Sequence, residues 1–179
     1  MSKDLQDEDL CSLARTVSVV GDRWSLLILG DCFQRVRRFE DFLDRLGVSR
    51  AVLSQRLQGL VDSFILTRVA YQQNPTRYEY RLTPKGLDLY PLIMAMQHWA
   101  DVHMTGRKGR PALHVHHRCR HQFDPVMVCS ECSEPLIAKE VSMIPRPGGA
   151  AKRASSSTHF FEGDEASANL WTEHETKAG

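Results

Sequence analysis

Two pairs of soft donors, His116-x-x-Cys119 and, nine residues further on, Cys129-x-x-Cys132, have the types and spacing of a metal site. Zinc takes four thiolate or imidazole ligands in a tetrahedron, and two such turns can deliver them from small hairpins. His117 and His121 are alternative imidazole ligands to His116. A segment this short buries little apolar surface, so a bound Zn2+ would supply its folding energy. Zinc knuckles commonly place glycine after the second ligand of each pair, where the turn favours positive φ. Arg120 and Ser133 stand there instead. Three readings follow: a structural zinc site, a degenerate relic of one, or a redox dithiol at Cys129-Ser-Glu-Cys132. A redox dithiol normally opens a helix within a βαβ unit, whereas Pro135 and a short polar stretch follow here.

A second chemistry lies between Gly47 and Leu60. Ser49 has the type and position of a helix cap. Leu53, Leu57, Leu60 and Phe64 recur at helical spacing and predict one apolar stripe. That leaves Arg50, Ala51, Ser54, Gln55 and Gln58 facing outward. Arg and Gln can bond bidentately to guanine and adenine edges, so this face suits the major groove. Taken alone, the stretch would be an ordinary amphipathic surface helix. A third candidate is Cys11, a thiol at the start of the first helix. A helix N-terminus favours thiolate, but Asp7, Glu8 and Asp9 oppose it; the alternative is a small buried apolar residue at a helix junction.

The elements around these residues decide between such readings. Leu13, Ala14, Val17 and Val20 form a helical stripe from Cys11 to Val20. Asp22 can cap a second helix carrying Trp24, Leu27, Ile28 and Phe33. Arg37 and Arg38 open a short third helix with Phe39, Phe42, Leu43 and Leu46 inward, ended by Gly47. Two β-branched and aromatic runs, from Leu66 to Tyr71 and from Arg77 to Leu82, flank an Asn74-Pro75 turn and predict a hairpin. Thr83-Pro84 caps a long helix that runs through Leu87, Tyr90, Ile93, Met94 and Trp99 to about Met104. Helix, helix, helix, recognition helix, hairpin, helix is the order of a winged helix-turn-helix. Arg37, Arg38 and wing Arg77 are then placed for phosphate or minor groove, and Ser49, Arg50, Ala51, Ser54 and Gln55 for the recognition face. Arg56 is placed to tie helices together.

Composition agrees with that division. Net charge is +1 over 179 residues, but the stretch 33–85 holds ten Lys/Arg against five Asp/Glu, while 150–179 holds three against five. A basic middle suits double-stranded DNA. The domains expected are 1–105, the DNA-binding and dimerisation domain; 106–113, a basic linker; 114–149, a Cys/His-rich zinc-ribbon-like module; and 150–179, a disordered tail. The fold class is mainly α with a β-hairpin wing (α+β). No apolar run approaches the roughly 20 residues that span a bilayer, and the acidic start lacks a signal-peptide core. The expectation is a cytoplasmic protein with no membrane partner, whose five cysteines serve metal or redox chemistry. It is not expected to be an enzyme: no carboxylate pair, phosphate-cradling loop or nucleophile with a base can be picked out.

Residues 11–103 resemble the HxlR-type transcriptional regulators, relatives of the MarR regulators. The resemblance rests on Cys11, Gly21-x-x-Trp24-x-x-x-Ile28-Leu29, Arg38-Phe39-x-x-Phe42, Gly47-Val48-Ser49-x-x-x-Leu53-Ser54-x-Arg56-Leu57, Pro75, Tyr78-x-Tyr80-x-Leu82-Thr83-x-x-Gly86 and Trp99, all in order. Ser63-Phe64 stands where the family usually has Gly-Leu, and Gln34-Arg35 replaces a turn that often contains glycine. The resemblance implies a homodimer on a palindromic operator, joined through its first and last long helices. It also implies a small-molecule or oxidant effector, since some members sense quinones or oxidants through a cysteine at the position of Cys11. Some members carry a C-terminal extension like the Cys/His module.

Overall fold

In the computed structural model, which describes residues 11–106, 109–142 and 144, residues 11–106 build six helices and one hairpin. They are α1 (Ser12–Val20), α2 (Arg23–Phe33), α3 (Phe39–Leu46), α4 (Arg50–Asp62), β1 (Leu66–Gln73), β2 (Thr76–Leu82), α5 (Pro84–Leu87) and α6 (Tyr90–His103). This is a winged helix-turn-helix, the fold the sequence predicts. Residues 12–126 form one compact unit, while Cys11 and the described residues from Met127 onward fall in a second. The predicted tail 150–179, linker residues 107–108 and the acidic run before Cys11 lie outside the described residues.

The core is a stripe from each helix of the helix-turn-helix. Ile28 and Leu29 of α2, Phe42 of α3, and Leu53 and Leu57 of α4 are wholly buried, joined by Leu60, Ile65, Leu66 and Ile93. Burying each such side chain contributes about 1.5–3 kcal/mol. Phe64 does not continue the stripe of α4. The helix ends at Asp62, Phe64 takes φ +57 and stands 75% exposed, and Ile65 and Leu66 are buried in its place. Left-handed backbone at a helix end is where a glycine normally sits. Arg35, in the other turn noted as lacking glycine, is also left-handed, at φ +67.

Two further boundaries depart from expectation. Arg37 and Arg38 do not open α3. Arg38 is its extended N-cap residue, Arg38 bridges antiparallel to Glu79, and the Tyr80 N–H donates to the Arg37 carbonyl at 2.8 Å. Pairing with β2 overrides helix start signals here. The long C-terminal helix is broken at Asp88 and Leu89 into α5 and α6. Pro91 has no N–H to offer the Leu87 carbonyl, so a continuous helix would lose that bond and clash there. Gly86 fixes α5 against the start of the wing: a Cβ there would lie 2.3 Å from the Ile65 carbonyl oxygen.

The hairpin pairs Leu66 with Leu82, Val69 with Glu79 and Ala70 with Tyr78. A bulge between Ala70 and Gln72 adds Tyr71 to the first strand, and the turn holds a cis Asn74–Pro75 bond.

Beyond Met94 no described residue is buried. His114–Gln122 and Met127–Leu136 each fold as a small hairpin-like turn, with bridges Val115–Gln122 and Val128–Pro135. A single 3₁₀ turn, Ala138–Glu140, follows.

Candidate nucleic-acid interface

The recognition face is built from its two ends inward. Gly47 closes α3 in the left-handed region (φ +61), its N–H returning to the Leu43 carbonyl at 2.9 Å. Ser49 then caps α4, its Oγ accepting from the Val52 N–H at 3.3 Å. A residue with positive φ followed two positions later by a cap turns the chain sharply between the two helices. With Leu53, Leu57 and Leu60 buried, Ser49, Arg50, Ala51, Ser54, Gln55 and Gln58 are all exposed. Gln58 donates to Asp62 at 2.7 Å, which occupies it along the helix. Arg56 turns sideways, as expected, to lie 3.2 Å from Asp22. Asp22 also accepts from the N–H groups of Trp24 and Ser25 and so caps α2. Burial alone would raise the Asp22 carboxyl; the Ser25 and Trp24 donors and Arg56 outweigh it and hold it low.

Arginines frame this face. Arg37 and Arg38 are exposed on the strand-like approach to α3, and the Arg38 guanidinium lies 4.8 Å from the centre of the Tyr71 ring. Arg77 is exposed near the tip of the wing. Arg68, which the sequence did not single out, stacks at 4.3 Å on Tyr78. Tyr78 and Arg68 stand on diagonal positions across the hairpin, a neighbourhood that only the register reveals. Arg81 is taken up by Glu79. Among the buried polar groups, Asp31 accepts from Arg45 Nε at 2.9 Å and binds α2 to α3.

Arg50, the foremost candidate base reader, is not free. Its Nη1 and Nη2 donate to the two carboxylate oxygens of Glu40 at 2.9 and 2.7 Å, and its guanidinium lies 5.1 Å from the Phe39 ring centre. Glu40 is ten residues away in sequence, so no helical spacing announces the pair.

The remaining candidates lie elsewhere. Cys11 is exposed just before α1. Cys32 is buried, and that burial, with Asp31 beside it, pushes its thiol up to about 12. In the first Cys/His turn, His116 Nδ1 is 3.3 Å from Cys119 Sγ, and the Arg120 N–H donates to the His116 carbonyl with Arg120 at φ +65. The second turn repeats the pattern: the Ser133 N–H donates to the Cys129 carbonyl with Ser133 at φ +61. Arg120 and Ser133 thus adopt the left-handed backbone expected of glycine. Backbone N–H groups of Cys132 and Glu131 lower the Cys129 thiol from its ordinary value. Among the described residues only the short 3₁₀ turn Ala138–Glu140 follows Cys132, not the α-helix that a thiol oxidoreductase's dithiol normally opens. Among the described residues no three or more His, Cys, Asp or Glu side chains are gathered as a metal cluster. No helix among them is long and apolar enough to cross a membrane.

Fold and face together define a DNA-binding transcription regulator. The family model of HxlR-like helix-turn-helix proteins matches residues 19–108, and the chain belongs to that family. It is 41% identical over 145 residues to the HTH-type transcriptional regulator Rv3095 of Mycobacterium tuberculosis, itself uncharacterised, covering 81% of this chain and 92% of the relative. Among solved structures it is similar to PA1607, described as a candidate transcription factor, with TM-score 0.68 and 28% identity over 76% of this chain and 95% of that one. The reduced form of the redox regulator HypR matches with TM-score 0.50 and 25% identity over 53% and 95%. The family and these relatives are regulators of transcription, not enzymes.

Proposed function

We propose that the protein is a homodimeric, sequence-specific regulator that lays α4 in the major groove of a palindromic operator. The observation that carries this is the face of α4. Arg50, Ala51, Ser54 and Gln55 project from a capped helix whose other side is locked into the core. Arg37, Arg38 and Arg77, with Arg68, then contact phosphate or minor groove and fix register. Support for the dimer comes from apolar side chains left uncovered on its two terminal long helices. Leu13 and Val17 of α1 are 72% and 56% exposed, and Trp99 and Val102 of α6 are 59% and 52% exposed. A single chain gains nothing from stripes at helical spacing that face water; a second copy covers them. The test is to sequence DNA fragments selected by the purified protein. Two inverted half-sites about one helical turn apart are expected; a single unpaired site, or no enrichment, overturns the reading.

The signal enters through Cys11, as an oxidant, or through an apolar groove of about 370 Å³ lined by Val19, Val20, Ile65 and Leu89, with Arg15 and Lys85 among its walls. The likeness to a redox regulator supports the first route. Cys11→Ser is expected to abolish release from DNA by oxidant while leaving DNA binding intact; an unchanged response removes Cys11 from the account.

A second reading concerns the Cys/His segment, for which we propose a structural Zn2+ held by His116, Cys119, Cys129 and Cys132. The observation that favours it is that each turn, taken by itself, has the backbone of a zinc knuckle despite lacking glycine. The lowered Cys129 thiol supports thiolate ligation. Metal analysis of untagged protein is expected to find one zinc per chain; none at any stoichiometry ends the proposal.

A further inference from the structure

The pair formed by Glu40 and Arg50 places an acid on a face that otherwise collects positive charge. Glu40 is the second residue of α3 and Arg50 the first of α4, so the pair spans the turn of the helix-turn-helix. Both side chains are well exposed, at 64% and 68%. Exposed ion pairs contribute little to stability, so holding the fold together is a weak reason for this one. Its geometry is more telling. Glu40 takes the Nη1–Nη2 edge of the guanidinium with both oxygens, and Phe39 lies against its face. A guanidinium has five N–H donors in a rigid plane. With one edge occupied, the Nε–Nη2 edge still offers two parallel N–H groups, the fork that matches guanine O6 and N7.

We propose that Glu40 is the positioning residue of Arg50: it grips one edge of the guanidinium so that the other is presented, already oriented, to a guanine in the major groove. The inference rests on reading α4 as the base-reading helix. Two consequences follow from charge. While paired, Arg50 is neutralised and adds little to indiscriminate phosphate binding. Where no guanine meets the free edge, moving Arg50 to a phosphate would leave the Glu40 carboxylate unpaired against DNA. Glu40 therefore raises selectivity twice, by orienting the reader and by penalising DNA that does not satisfy it. Arg50, and more weakly Arg77 of the wing, hold the Glu40 carboxyl below its ordinary range, so it stays ionised across the neutral region.

The test uses the full-length protein and an operator selected as above, with each guanine in turn replaced by 7-deazaguanine, which lacks the N7 acceptor. The affinity ratio between parent and substituted operators is measured for wild type, Glu40→Gln, Arg50→Ala and the double variant, with thermal midpoints recorded alongside. At one guanine per half-site, Glu40→Gln is expected to lower the ratio about tenfold, to bind random DNA more tightly, and to steepen its salt dependence by about one phosphate contact. Arg50→Ala is expected to abolish discrimination there, with no further loss in the double variant. A helix-tying role would instead shift the thermal midpoint and leave the ratio alone. If Glu40→Gln keeps the wild-type ratio while Arg50→Ala loses it, the positioning role is overturned and base reading by α4 stands. If Arg50→Ala also keeps the ratio, the reading of Arg50 as a base reader falls with it.

Discussion

The helix-turn-helix and the Cys/His segment reach defined backbones by opposite means. Residues 12–103 hang on buried side chains contributed by α2, α3, α4, the wing and α6. The segment 109–144 buries no described residue, yet it forms two turns of matching backbone at His116–Arg120 and Cys129–Ser133. A core specifies structure through many weak contacts distributed over the chain. Turns without a core gain from an external fastener, and the Zn2+ proposed for His116, Cys119, Cys129 and Cys132 would supply one. The likeness to Rv3095 spans 145 residues, more than the 90 of the family match, so it runs past the helix-turn-helix into this segment.

The largest effect should expose this contrast directly. Leu57→Ala removes a wholly buried side chain and is expected to cost about 2–5 kcal/mol, read as a loss of denaturation midpoint and of DNA binding. Leu136→Ala, at an exposed position of the second region, is expected to stay within about 0.5 kcal/mol. Comparable losses at both sites would break the distinction.

Chelation should act the other way round. If the proposed Zn2+ is bound, its removal is expected to open amide protons of 114–136 to exchange while the helical signal of α2 to α4 persists. Simultaneous loss of both would mean one cooperative unit rather than two supports.

Thiol chemistry sharpens the comparison further. In metal-free protein near pH 8, Cys129 is expected to alkylate readily and Cys32 only on unfolding, since one thiol is lowered and the other pushed up to about 12. The Cys32 shift also sets a pH dependence. The unfolded thiol ionises near 9 and the folded one near 12, so the folded state holds the extra proton between them. Stability should therefore fall as pH rises through that window, and Cys32→Ala should flatten the fall.

The smallest effects lie at the ends of α4. Ser49→Ala is expected to cost about 1 kcal/mol through loss of the cap. Phe64→Gly is expected to gain about 0.5–1 kcal/mol by relieving left-handed backbone at an exposed bulky residue. A loss with Phe64→Gly would mean that the ring makes a contact that outweighs its backbone cost.

What the sequence revealed was local. The Ser49 and Asp22 caps, the Gly47 stop, the Leu53–Leu57–Leu60 stripe and the hairpin each follow from signals a few residues apart. What it concealed was pairing at a distance. Arg37 and Arg38 look like a helix start until β2 captures their backbone, and Glu40 looks like an ordinary first-turn acid until Arg50 arrives ten residues later. Pro91 could have warned of the break between α5 and α6. The apolar stripe of α1 was visible as a pattern, but not that Leu13 and Val17 would stand exposed while Val20 joins the core.

In the proposed function α4 reads bases while the surrounding arginines hold phosphates. The most direct measurement compares Gln55→Ala with Arg37→Ala on a panel of operators differing at single base pairs, at several salt concentrations. Gln55→Ala should relax preference at one base pair per half-site and leave the salt slope unchanged. Arg37→Ala should weaken every operator alike and reduce the slope by about one. Uniform weakening by Gln55→Ala, or altered base preference in Arg37→Ala, would contradict the account.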